Sequence, residues 1–225
     1  MKRLVLLLIT VSVLLTSCSF FDGVAEKLGF DTYDYMGEKV ISVLPNDGDE
    51  AETARDVLSV IVSNSGVLET FDNMAEGVKL YSDTVLGYMI ATEYGKYSGN
   101  TDLINKAAKE YPEYGATLLI PQKDYEAMMY RYFGGDVKIT NGDTTRFKYM
   151  SRINAYSATV LPEQGKYSPK IIHISETERT YRVRFKLVNP ELEEELTDPE
   201  YFALIIKRTD GTYYIKKLLN SDDVD

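Results

Sequence analysis

The feature that most limits this chain is a change of hydrophobic period at Gly134-Gly135. Before it, apolar residues recur at helical spacing; after it they alternate, the signature of a helical layer followed by a sheet. Val57, Leu58, Ile61 and Val62 form one stripe on a helix expected over 50–62. Asn46-Asp47-Gly48-Asp49 supplies its turn and N-cap, Glu50 and Glu52 suit the positive end of its dipole, and Asn64-Ser65-Gly66 ends it. Phe71, Met74, Ala75, Val78, Val85, Leu86, Met89 and Ile90 carry helical spacing on toward Tyr94. Asn100 or Thr101 caps a short helix through Leu103, Ile104, Ala107 and Ala108, stopped by Pro112. Pro121 then opens an amphipathic helix with Tyr125, Met128, Met129, Tyr132 and Phe133, closed by Gly134-Gly135.

Strands are expected over 40–44, 137–139, 145–149, 158–161, 170–174, 181–188, 201–208 and 212–218. Asn141-Gly142 and Asp210-Gly211 read as type I′ hairpin turns, and the last three strands as an antiparallel meander with one buried face. The fold class is therefore α+β: N-terminal helices, then a helix packed on an antiparallel sheet. The expected units are a helical region over 40–114, an α+β domain over 115–220 and an acidic tail over 221–225.

Composition removes several activities. The net charge of −10 opposes binding to a phosphate backbone, so nucleic acid is not an expected partner. One Cys forms no intramolecular disulfide and no Cys-rich zinc site, and one His excludes a two-His metal centre. No metal or other cofactor is expected.

That single cysteine is the most informative residue. Met1-Lys2-Arg3 is a basic start, and the apolar run over 4–15 is broken only by Thr10 and Ser12. A run of about a dozen residues is shorter than the roughly 20 that span a bilayer as a helix. Leu15-Thr16-Ser17-Cys18 follows at once. The leader resembles the type II signal peptide of bacterial lipoproteins, and Leu15-Thr16-Ser17-Cys18 resembles the lipobox. The resemblance implies a signal peptide over 1–17, cleavage between Ser17 and Cys18, a diacylglycerol thioether on Cys18 and a lipidated tether over 18–39. It places the protein on a bacterial membrane, on the extracytoplasmic face. A plain secretory signal or an uncleaved anchor would leave the sole cysteine at this position by coincidence. Removing 17 residues, which carry two cations and no acid, leaves 208 residues and moves the net charge from −10 to −12. A chain of that length buries enough apolar surface to fold without disulfides.

The helix from Leu119-Ile120-Pro121 to Tyr132-Phe133-Gly134-Gly135, then strands ending in Gly211-Thr212-Tyr213-Tyr214-Ile215, resembles the NTF2-like and cystatin-like folds. There a curved antiparallel sheet wraps a helix. A weaker similarity is to the inhibitors of cell-wall DL-endopeptidases. It implies a protein or cell-wall partner, and no inhibitory residue is carried over.

Catalytic chemistry has few footholds. The motifs G-x-S-x-G, G-x-G-x-x-G, H-E-x-x-H and the Walker loop do not occur, and Ser168-Pro169-Lys170 lacks the serine–lysine spacing. His173, in Ile171-Ile172-His173-Ile174, could serve as a general base, but strand alternation makes it a half-exposed His opposite Ile172 and Ile174. The acidic stretches around Asp47 and over 191–200 lack the calcium-loop pattern and read as solvated loops, the second joining two strands. The 18 tyrosines are the unusual resource, since a flat ring with a hydrogen-bonding tip suits recognition of peptides and glycans. Most pack on sheet and helix. A ligand surface is expected at Tyr149, Tyr181, Tyr201 and Tyr213 with His173. The expectation is thus a non-enzymatic tethered module binding a protein, peptide or wall component, such as a wall hydrolase. The alternatives are a hydrolase centred on His173 and a purely structural surface protein.

Overall fold

The computed structural model of the chain describes residues 39–62, 68–71, 74–158, 167–189, 191, 194–195 and 199–221, with backbone alone over 74–80 and 194–195. The leader, Ser17 and Cys18, the tether up to residue 38, Asn64-Ser65-Gly66, residues 159–161 and the tail over 222–225 lie outside the described residues.

The elements run β1 (Ser42–Leu44), α1 (Asp49–Ser59), α2 (Met74–Ser98), α3 (Thr101–Glu110), β2 (Leu119–Pro121), α4 (Gln122–Phe133), β3 (Phe147–Met150) and β4 (Ala155–Ala158). Then follow β5 (Ser168–Glu176), β6 (Thr180–Asn189), β7 (Glu194–Glu195), β8 (Tyr201–Lys207) and β9 (Tyr213–Asn220). The class is α+β, with four helices and two antiparallel sheets among the described residues. The larger sheet has the order β1-β5-β6-β8-β9, with β7 on β6; the smaller has the order β2-β4-β3. The final meander β6-β8-β9 forms as the alternation required.

One apolar core joins the helices to the larger sheet. Ala54 and Leu58 of α1, Leu86 and Met89 of α2, and Met129 and Phe133 of α4 pack in one cluster with Val183, Phe185, Ile205 and Ile215. Each fully buried Leu, Ile or Phe contributes about 1.5–3 kcal/mol over its exposed state. At Asn100 the side-chain oxygen accepts from Leu103 N–H at 3.2 Å, capping α3 as its position suggested. α4 ends at Gly134, whose φ of +92° and close approach to Tyr214 both require glycine: a Cβ there would lie 2.8 Å from the ring.

Several expectations are corrected. Residues 119–121, assigned to the helix start, form strand β2 against β4, because Pro121 has extended ψ (137°) and the helix begins at Gln122. Residues 137–139 are irregular, and Asn141-Gly142 is no hairpin, since Gly142 does not take the positive φ that a type I′ turn requires. Phe71 sits before α2, not in it, and bridges to Leu218. The β8–β9 turn is also a different type. Only Gly211 has positive φ (+82°), Gly211 N–H donates to the Arg208 carbonyl at 3.1 Å and Arg208 N–H to that of Thr212 at 2.8 Å. This is a three-residue loop with a glycine bulge, organised by Asp210, which accepts from Thr212 N–H at 2.9 Å.

Candidate functional site

The tyrosines expected to share one ligand surface do not. Tyr201 is 1% exposed, stacks on Phe185 at 5.5 Å and accepts a hydrogen bond from Leu68 N–H at 2.9 Å. It is a core residue that ties the segment before α2 to the sheet. Tyr181 is 4% exposed and stacks on Tyr213 at 5.5 Å, with the Lys207 ammonium 4.5 Å from its ring centre. Burial holds the phenol of each of these two core tyrosines above its ordinary pKa, in its protonated form. Alternation put this pair and Tyr201 on a sheet face correctly, but that face is the one the helices cover.

His173 lies elsewhere again. A bulge between Ile171 and His173 lets both Ile171 and Ile174 reach the core, so alternation is broken at Ile172. His173 is half-buried, pairs with Arg184 across β5 and β6, and is pushed toward its neutral form by burial and then by the Arg184 charge.

Tyr149 does not line a cleft itself, but its hydroxyl hydrogen-bonds to Gln122 and Asn154, two residues that do. The N-terminal ends of α3 and α4 converge on the β3–β4 turn and enclose an open cleft of about 550 Å³. Asn100, Asp102, Leu103 and Lys106 line it from α3 and its cap. Pro121, Gln122, Lys123 and Glu126 line it from α4 and the preceding strand, and Ile153 and Asn154 from the turn. Asn154 is the one described non-glycine residue with positive φ (50°), which Asn tolerates better than most, and its carbonyl accepts from Gln122 N–H at 2.8 Å.

Behind the cleft a directed network sets the side chains. Tyr156 Oη donates to Asn141 Oδ1 at 2.7 Å, and Asn141 Nδ2 donates to Glu126 Oε1 at 2.9 Å. Gln122 Nε2 donates to the same oxygen at 2.6 Å, while its own Oε1 accepts from Tyr149 Oη. Two chains of donors thus end on one carboxylate oxygen. The Tyr156 ring lies 4.9 Å from Tyr125 and 5.0 Å from Tyr149, and burial raises the pKa of all three phenols, so they act as donors. Asp83 of α2 secures the strand that follows this loop. It accepts from Thr144 Oγ1 at 2.6 Å, Arg146 N–H at 2.9 Å and Arg146 Nε at 2.5 Å. These bonds hold its carboxyl below the usual aspartate range, against the opposing effect of burial.

Gln122, Glu126, Asn141 and Asn154 are the residues that sequence reasoning missed. Asn141 had a signal, but it was read as turn chemistry; the others look like ordinary helix and loop polar residues. The lining pairs Lys106 and Lys123 with Asp102 and Glu126, a balanced set on an otherwise acidic chain. It offers amide donors and acceptors beside Leu103, Pro121 and Ile153, which suits a polar ligand of little net charge. No cluster of three or more His, Cys, Asp or Glu side chains suited to a metal occurs among the described residues. Among them, no helix is long and apolar enough to cross a membrane. No protein-family model, curated protein or solved structure matches this chain.

Proposed function

We propose that this chain is a bacterial lipoprotein, held by acyl chains on Cys18 at the extracytoplasmic face of a membrane, that binds a cell-wall glycan or peptide fragment without catalysing a reaction. The observation that carries the reading is the place of the only cysteine, directly after a basic start, an apolar run and Leu15-Thr16-Ser17. Two or three acyl chains, at about 0.8 kcal/mol per buried methylene, hold such a domain on the bilayer. The finer fold proposed is NTF2-like or cystatin-like, supported by helix α4 lying against the meander of β6, β8 and β9. The ligand class is supported by the cleft: amides of Asn100, Gln122 and Asn154 beside balanced charges match hydroxyl, amide and zwitterionic groups.

Two measurements test this. Metabolic labelling with a palmitate analogue should mark the native chain and leave Cys18→Ala unlabelled and released from the membrane fraction. Titration of soluble wall fragments should show saturable binding, weakened about tenfold by Lys106→Ala, whose exposed side chain lines the cleft, with Tm unchanged. Equal labelling of Cys18→Ala removes the anchor; absence of binding by both glycan and stem-peptide fragments removes the ligand.

A further inference from the structure

The β3–β4 turn has two flanks. Ile153 and Asn154 line the cleft, whereas Ser151 and Arg152 meet the C-terminal end of α3. There the exposed Arg152 is held in one orientation. Its Nη1 donates to the Glu110 carbonyl at 3.1 Å, its backbone N–H donates to Tyr111 Oη at 3.0 Å, and its guanidinium lies 5.5 Å from the Tyr111 ring centre. The Tyr111 ring in turn lies 6.1 Å from that of Tyr114, which is 46% exposed. Among the described residues no carboxylate pairs with Arg152, and no further acceptor meets its remaining guanidinium N–H groups. The bond from Arg152 N–H, and then that with the Ser151 hydroxyl, hold the Tyr111 phenol below its ordinary pKa, so this corner favours negative charge. A planar fork of donors fixed beside two rings matches a carboxylate bidentately, and the rings match the apolar group that carries it.

We propose that Arg152, Tyr111 and Tyr114 form a second subsite, which takes a free carboxylate of a peptide whose neighbouring residues occupy the cleft. The inference rests on the reading that the cleft binds a wall fragment, and it selects the peptide arm of that fragment over the glycan. Along α3 the distance from Lys106 to Tyr111 is about 7.5 Å, and from Asn100 about 16 Å. A stem peptide of five extended residues reaches roughly 17 Å, so one molecule covers both places. Amides of Asn100, Gln122 and Asn154 then meet its peptide groups, and Arg152 adds a charge-assisted bond that a neutral glycan does not make. The nearby acids leave the guanidinium to the ligand: Asp143 is paired with Lys148 at 2.6 Å, and Glu110 presents its main-chain carbonyl to Arg152.

The test is calorimetric titration of the full chain in detergent micelles with a synthetic stem pentapeptide, its carboxylates either free or converted to primary amides. Amidation should weaken binding to the native chain about tenfold. Arg152→Gln should weaken binding of the acid by the same factor and leave the amide unaffected, with Tm unchanged, and Arg152→Lys should restore part of the loss. Tyr114→Ala, at an exposed ring, should weaken both peptides about threefold. Equal affinity of acid and amide for the native chain, or equal loss of both in Arg152→Gln, overturns the subsite while the cleft reading stands. A second probe separates the two readings: N-acetyl-D-alanine, too short to reach the cleft from Arg152, should shift the Tyr111 and Tyr114 ring resonances in the native chain and not in Arg152→Gln. Those shifts without peptide binding remove the cleft reading alone, and absence of the shifts overturns the subsite.

Discussion

Along the helix-facing side of the larger sheet, Val183, Phe185, Ala203, Ile205 and Ile215 present no side-chain polar atom, whereas beside the smaller sheet Tyr125, Tyr149 and Tyr156 each carry a hydroxyl that has found a partner. The first region is held by volume, since close-packed side chains lose contacts on every side when one is shortened. The second is held by direction, since each donor in the chain from Tyr156 to Glu126 has one acceptor placed for it. Shape can therefore change at the cleft with little loss of stability, while the core behind the meander tolerates no such change. A binding surface is expected to sit on the directional side of such a division, because ligand groups can replace or extend its hydrogen bonds.

The sharpest way to break this comparison is Phe185→Ala. Phe185 is fully buried and stacked on Tyr201, so the variant should lose about 3–5 kcal/mol in denaturant unfolding. A loss under about 1 kcal/mol would mean that the meander is not the stabilising half.

Asp83 stands between the two regimes, a carboxylate of α2 gripping the strand start at Thr144 and Arg146. Asp83→Ala should cost about 1–2 kcal/mol, reduced by its partial exposure. Its folded pKa is depressed, so the stabilisation is complete above the ordinary aspartate value near 4 and is lost as pH falls through the lower folded value. Unfolding measured from pH 6 downward should show this loss in the native chain, and Asp83→Asn should lack that component.

The smallest effect belongs to Tyr156→Phe, which removes the donor at the head of the network and keeps the ring. Stability should fall by about 0.5–1.5 kcal/mol, while affinity for a cleft ligand should fall proportionally more, because Asn141 and Glu126 lose their orientation. Calorimetry and thermal unfolding of the same sample separate the two. Equal losses would show that the network only braces the fold.

The helices, the meander and the cap at Asn100 could be read directly, because a 3.6-residue stripe, a two-residue alternation and a capping amide are local patterns that burial then reinforces. Strand β2 could not be read, since Leu119-Ile120-Pro121 has the same apolar run whether it starts a helix or pairs with Tyr156 and its neighbours on β4. The bulge in β5 was equally hidden: it pairs Ile171 with Phe185 and His173 with Arg184 and so reassigns the faces around Ile172, which only the partner strand's register reveals.

By itself the sequence determined the α+β class, the change from helices to a final antiparallel meander, and the position of the one cysteine, since each follows from covalent order and short-range periodicity. Tertiary structure alone decided which tyrosines are core and which brace the residues of a cleft. Tyr201 and Tyr149 both look like strand residues with an outward hydroxyl; one is enclosed by Phe185 and Leu68 N–H, the other turned toward Gln122. A ring on a strand has two faces to choose from, and only the elements that fold against the sheet determine which of them meets water.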